Sequence, residues 1–193
     1  MKISGSATIT DWICESHSPV GEFVLPLTKT DLDRMYDEIL SPGGHPGQST
    51  VDASNLLNKY NKSVTAFLNV MVKSFDCGNR LMESDMYAAI KADAYPQVRY
   101  RHFGLGVSLA KTVSQKQAVS IVSFGLLELA GVKKKVEIEL TIERLDSGKF
   151  LLSGHKDLRM SDFDITPPTA LFGLIKTSDN FRLTYALVAK SVP

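Results

Sequence analysis

The sequence predicts a mainly β protein, an antiparallel barrel or sandwich with one or two short helices. Three observations predict it. Apolar stretches of strand length recur along the chain. Several of them alternate strictly between apolar and polar residues. Turn-forming runs such as Asp146-Ser147-Gly148 and Ser178-Asp179-Asn180 separate them. At 193 residues the chain is of a length at which all-β barrels stay undivided, and 44% hydrophobic content suits one packed core. Closing such a sheet removes the exposed edges that invite aggregation.

The elements follow in order. Residues 3–25 read as one bent strand or two short ones. In residues 26–62, Leu32, Met35, Tyr36, Ile39 and Leu40 form one apolar helical face over 31–40. Thr30 is its N-cap, and Ser41-Pro42-Gly43-Gly44 stops it. Residues 64–75 form a long apolar strand. Residues 80–93 form a helix with Met82, Met86, Ala89 and Ile90 on one face, running through Tyr95-Pro96 into a strand over 98–103. Residues 107–112 and 118–129 read as a hairpin. In 136–144, Val136, Ile138, Leu140 and Ile142 face one way and Glu137, Glu139, Thr141 and Glu143 the other. Strands over 150–158 and 181–190 complete the set, the latter with Phe181, Leu183, Tyr185 and Leu187 on one face.

Charge and motifs exclude several function classes. The 22 basic and 21 acidic residues balance to +1, unlike the basic face of a nucleic-acid binder. No apolar run reaches the ~18 residues of a membrane-spanning helix. The first residues lack the apolar core of a signal peptide, so the protein is cytosolic or its leader has been removed. His17, His45, His102 and His155 are scattered, without the close pairing of a metal site. No serine or cysteine sits in a nucleophile-elbow setting, so an enzyme, and a catalytic residue, is not expected. Asp162 and Asp164 flank Phe163 like a carboxylate pair, but acids in turns more often cap backbone N–H groups. Cys14 and Cys77 are either two buried thiols or a disulfide closing a long loop in an oxidising compartment; both sit at predicted strand ends, which favours the disulfide.

Three segments carry a family resemblance. Ser84, Met86, Tyr87, Tyr95 and Pro96 lie on a helix that leads through Tyr-Pro into a strand. Leu127, Leu129, Gly131, Val132, Lys134 and Val136 form a Gly-centred hairpin, with Lys133 and Lys135 where Thr and Pro are usual. Met160-Ser161-Asp162-Phe163 ends in Asp164 where the usual motif has Gly and lacks its basic residue; PPTALFGL follows. In this order they resemble the YceI-like family, and the closing segment is similar to its secreted branch. The resemblance covers roughly residues 64–190 and implies one closed, lipocalin-like antiparallel barrel of about eight strands over residues 1–193. Residues 26–62 then read as an insertion, and the leader as removed from a periplasmic or secreted protein.

The implied function is non-catalytic binding or transport of an isoprenoid or other long-chain apolar lipid, without a cofactor; a homodimer is compatible with it. Burial of about 25 cal/mol per Å² of apolar surface lets a prenyl chain bind with few hydrogen bonds. The candidate lining residues are Ile138 and Leu140 on one alternating face and Leu183 and Tyr185 on another. Phe163 and Phe172 are candidates to shut one end. Met86 would lie across the mouth, and the 31–40 helix would form a movable lid. Each such face equally suits a solid core, which defines the alternative: a structural or stress-related protein with a filled barrel and no lipid. Lys133, Lys134 and Lys135 read as a solvated turn rather than a phosphate site.

Overall fold

The structure is a computed structural model that describes residues 1–24, 65–107, 118–145, 149–170 and 174–190. Its strands are β1 (Lys2–Ala7), β2 (Asp11–Glu15), β3 (Val20–Val24), β4 (Thr65–Met71), β5 (Gln97–Val107), β6 (Ala118–Leu129), β7 (Val132–Arg144), β8 (Lys149–Arg159), β9 (Thr169–Ala170) and β10 (Ile175–Lys190). One α-helix, α1 (Arg80–Ala89), lies between β4 and β5, and short 3-10 turns cover Val72–Ser74 and Met160–Phe163. The predicted insertion, its helix over 31–40 and Phe172 lie outside the described residues.

Strand pairing corrects the closed barrel of about eight strands. Nine strands form one antiparallel path in the order β2-β1-β10-β8-β7-β6-β5-β4-β3, and β9 pairs only with β10. The sheet curls into a half-barrel whose outer strands, β2 and β3, do not pair with each other. Among the described residues one isolated bridge links its two sides. Glu15 N–H donates to Asp76 O at 2.8 Å, and Asp76 N–H donates back to Glu15 O at 2.9 Å. The Cys14–Cys77 disulfide staples the same point. Alternation and turn spacing report that strands exist, but not which distant edges meet.

Smaller departures have local causes. The predicted 98–103 strand is longer: β5 runs unbroken through 97–107, with a shift of register between His102 and Gly104 that lets it bend, and the rest of the predicted 107–112 strand lies outside the described residues. The predicted 64–75 strand stops at Met71, and residues 3–25 make three strands. β6 and β7 join through Ala130 and Gly131, both at positive φ (51° and 83°), as a twisted two-residue hairpin requires. Asp164, standing where the usual motif has Gly, holds φ 53°, a left-handed conformation that Asp tolerates better than most residues. The acid acting as a cap is Asp179, whose carboxylate accepts from Ser161 N–H at 2.7 Å; Asp162 instead pairs with Arg159 at 2.9 Å.

Helix α1 begins at Asn79, whose side-chain oxygen accepts from Leu81 N–H at 2.8 Å and so caps the first turn. It ends at Ile90, followed by Lys91 at φ 58°. Tyr87 anchors the helix by donating its hydroxyl to Phe75 O at 2.8 Å. Met86 and Ile90 then face the sheet and join a core with Ile3, Cys14, Val98, Leu127, Leu129, Phe163 and Phe181. The helix thus covers one end of the curl.

Candidate ligand-binding site

Strand alternation sorts the inner face of the curl from its outer face. Ile138, Leu183 and Tyr185 are buried on the inner face, and Leu140 is half-buried there. Glu137, Glu139, Arg182 and Ala186, their alternating neighbours, are exposed. Phe163 is 1% exposed and packs into the core near α1. Of the residues expected to bind ligand, these four form the inner wall, Phe163 fills its α1 end, Met86 comes from the helix, and Phe172 lies outside the described residues.

Two tyrosines lie down on this wall instead of standing into the interior. The ring of Tyr100 covers Gly125, where a Cβ would meet it at 2.2 Å, and Tyr185 covers Gly154 in the same way. Their hydroxyls turn to the wall: Tyr185 donates to Glu139 O, and Tyr100 bonds Ser123 Oγ at 2.6 Å. Burial pushes both phenols above the usual tyrosine pKa, so both stay protonated. Trp12 repeats the arrangement over Gly5. The effect is a wall of flat aromatic faces, with the two tyrosine hydroxyls tied back to it.

Two polar atoms of the wall are left over. His102 is buried, its Nδ1 lies 2.8 Å from Ser123 Oγ, and its Nε2 has no hydrogen-bond partner among the described residues. Burial lowers its pKa below the usual histidine value, so the ring is neutral near pH 7. Trp12 Nε1 is likewise buried and unpartnered. The sequence pattern weighed His102 only as a metal ligand and singled out none of Trp12, Tyr100 and Ser123. One signal was available: Val98, Tyr100 and His102 alternate with Arg99, Arg101 and Phe103, as an inner face does.

Beneath α1 the wall opens into an apolar cleft of about 240 Å³. Met82, Met86 and Ile90 of the helix line it, opposite Leu129, Ile165 and Phe181. Trp12 also borders it, and Asn79, Asp85 and Thr10 supply polar atoms at its rim. Met86 Sδ lies 4.0 Å from Cys77 Sγ, and Cys14 lines the cleft, so the disulfide borders it. A second hollow of about 1010 Å³ has a different character. β7 and β8 pair only over Thr141–Arg144 with Phe150–Ser153, and toward α1 the ladder stops. The groove there is broad and charged, with Lys134, Lys135 and Lys156 beside the ion pairs Arg159–Asp162 and Arg182–Asp157. Its charges face water, so it suits an apolar chain less than the cleft does.

A curled sheet with an apolar inner wall, a helix over one end and a cleft beneath that helix is the setting in which a comparison with known proteins becomes informative. The model of the YceI-like domain matches residues 44–189, well over half of the chain. The chain belongs to the YceI-like family. Among solved structures it is similar to BcnA of Burkholderia cenocepacia, with 14% identity, a TM-score of 0.63, and coverage of 98% of this chain and 96% of that one. It is also similar to a polyisoprenoid-binding domain of Saccharophagus degradans implicated in plant cell wall breakdown, with 11% identity, a TM-score of 0.61, and coverage of 99% and 92%. A third likeness is to the YceI protein of Campylobacter jejuni, with 14% identity, a TM-score of 0.58, and coverage of 93% and 85%. A search of curated proteins found no match. At these identities the structural likeness concerns the fold.

Proposed function

We propose that this YceI-like protein is a non-catalytic binder and carrier of an amphiphilic isoprenoid-type lipid. The observation that carries the reading is the apolar cleft beneath α1, whose lining residue Phe181 stands on the same face of β10 as Leu183 and Tyr185. Its volume of about 240 Å³ is below the 300–1,000 Å³ of a pocket that takes a whole drug-sized ligand. It therefore suits one part of a long, thin chain whose remainder lies along the wall formed by Ile138, Leu140, Leu183 and Tyr185. Leu129, Phe181 and the flexible thioethers of Met82 and Met86 adapt to a branched prenyl chain. The Saccharophagus domain of similar fold, described as polyisoprenoid-binding, supports this ligand class. The Cys14–Cys77 disulfide supports a periplasmic or secreted site of action, where disulfides persist.

Met82 tests the site directly, because it is only half-buried and a charge there need not unfold the sheet. Titration of a fluorescent isoprenoid should give saturable binding, and Met82→Glu should weaken it at least tenfold at unchanged thermal stability. A parent protein that binds no isoprenoid would leave the filled-barrel alternative standing.

A further inference from the structure

Large apolar side chains stand in water at the mouth of the cleft beneath α1. Ile9, in the β1–β2 turn, is 70% exposed, and Leu81, in the first turn of α1, is 68% exposed; both border the cleft. Leu174, 76% exposed, directly precedes Ile175, a further residue of the lining. Single exposed aliphatic residues are ordinary on a protein surface and ask for no explanation. Three that come from separate parts of the chain and gather at one opening do.

Hydrogen bonds hold this rim in place. Thr8 N–H donates to Lys176 O at 3.0 Å, and Lys176 N–H donates to Thr8 Oγ1 at 3.0 Å. The turn that carries Ile9 is thereby tied to the start of β10, next to Leu174. On the helix side, Asn79 caps the turn that carries Leu81. The three side chains add little to the stability of the fold, because most of their surface stays in water.

The charges around the rim select what covers it. Arg80 lies beside Leu81, and Lys176 lies two residues beyond Leu174; both are exposed, and neither takes part in the ion pairs among the described residues. Asp85 is the acid of the cleft lining and is half-buried, and Asp11, beyond Ile9, borders the charged groove instead. Apolar tips flanked by long basic side chains match a bilayer surface, where the tips enter the boundary with the acyl chains and the cations stay at the level of the phosphates. A second copy docked by the same patch would instead crowd these cations together.

We propose that this rim is the surface by which the protein docks on a lipid bilayer, with Ile9, Leu81 and Leu174 entering the membrane boundary and Arg80 and Lys176 meeting lipid phosphates. The cleft then opens into the bilayer, and a long apolar chain passes between them without crossing water. The proposal rests on the lipid-binding reading and adds to it the partner that supplies or receives the lipid.

Flotation with vesicles of phosphatidylcholine and phosphatidylglycerol in equal parts tests it. The unaltered protein should float with them. Leu174→Ser, at a side chain outside the cleft lining, should weaken the association about tenfold. Its thermal stability and its affinity for a fluorescent isoprenoid in vesicle-free solution should stay at the parental values. Lys176→Glu should weaken flotation with these vesicles more than with vesicles of phosphatidylcholine alone. Transfer of the isoprenoid from loaded protein should speed up as the vesicle concentration rises, and Leu174→Ser should slow it about tenfold. A protein that binds isoprenoid in solution, yet neither floats nor transfers faster with more vesicles, overturns the docking surface and leaves the lipid reading standing. Flotation that both variants leave unchanged puts the contact elsewhere and overturns it too. A dimer that Leu174→Ser disperses in sedimentation assigns the rim to a second copy. Absence of isoprenoid binding in solution removes the lipid reading and this proposal with it.

Discussion

Burial holds His102 neutral, and this ties stability to pH. Because burial lowers its pKa in the folded state, the unfolded chain binds the proton more readily, starting near the ordinary histidine value of about 6.5. The contribution is thus fully present above that value and is lost as the pH falls toward the folded-state pKa. Urea unfolding at pH 7.5 and 5.5 should show a lower midpoint at 5.5, and His102→Gln should reduce the difference. Gly125 gives a second check at this scale. A methyl group there would meet the Tyr100 ring at 2.2 Å, so Gly125→Ala must displace the ring and should cost about 1–3 kcal/mol in a denaturant melt. Ile138 gives a third. It is 6% exposed on the inner wall, so Ile138→Asp leaves an unpaired buried charge and should destabilise by about 3–5 kcal/mol. The inward direction of Ile138, Leu183 and Tyr185 was legible from alternation alone. The His102–Ser123–Tyr100 cluster was not, because its members are 21 and 23 residues apart and meet only through the β5–β6 register.

Helix α1 is the element on which the candidate site turns, and the sequence declared it plainly: one apolar face of Met82, Met86, Ala89 and Ile90, and a Tyr-Pro exit into β5. What the sequence left open was the object that this face meets. The structure sets it against β1, β10 and the turn after β8, elements from both ends of the chain, and no local pattern reports such a juxtaposition. The helix is held by Tyr87, which bonds Phe75 O, and Met86 meets the Cys14–Cys77 disulfide. The bridge spans 63 residues, so closing that loop should stabilise by about 2–4 kcal/mol. Comparing melts of the oxidised protein with those of Cys77→Ser measures the difference. Thiol labelling of the unfolded, unreduced parent should find no free thiol.

For the molecule as a whole, the mainly β class and the family were legible because three motifs stand in order over residues 79–174, and motifs are local. Closure of the barrel was not legible, because it depends on whether the first and last strands of the path meet. Here β2 and β3 stay unpaired with one another, and among the described residues the Glu15–Asp76 bridge, the Cys14–Cys77 disulfide and a Ser16–Ser74 hydrogen bond join the two sides. The resulting half-barrel has an inner wall of flat aromatic rings and aliphatic side chains, a helix over one end, and a cleft leading beneath it. The proposed function has this wall and cleft hold a long apolar chain. Native mass spectrometry of protein purified without detergent tests this most directly. The account predicts a protein peak shifted by the mass of one bound lipid, with an isoprenoid chain recovered on extraction. A single unshifted peak that stays unshifted after incubation with excess isoprenoid would contradict it.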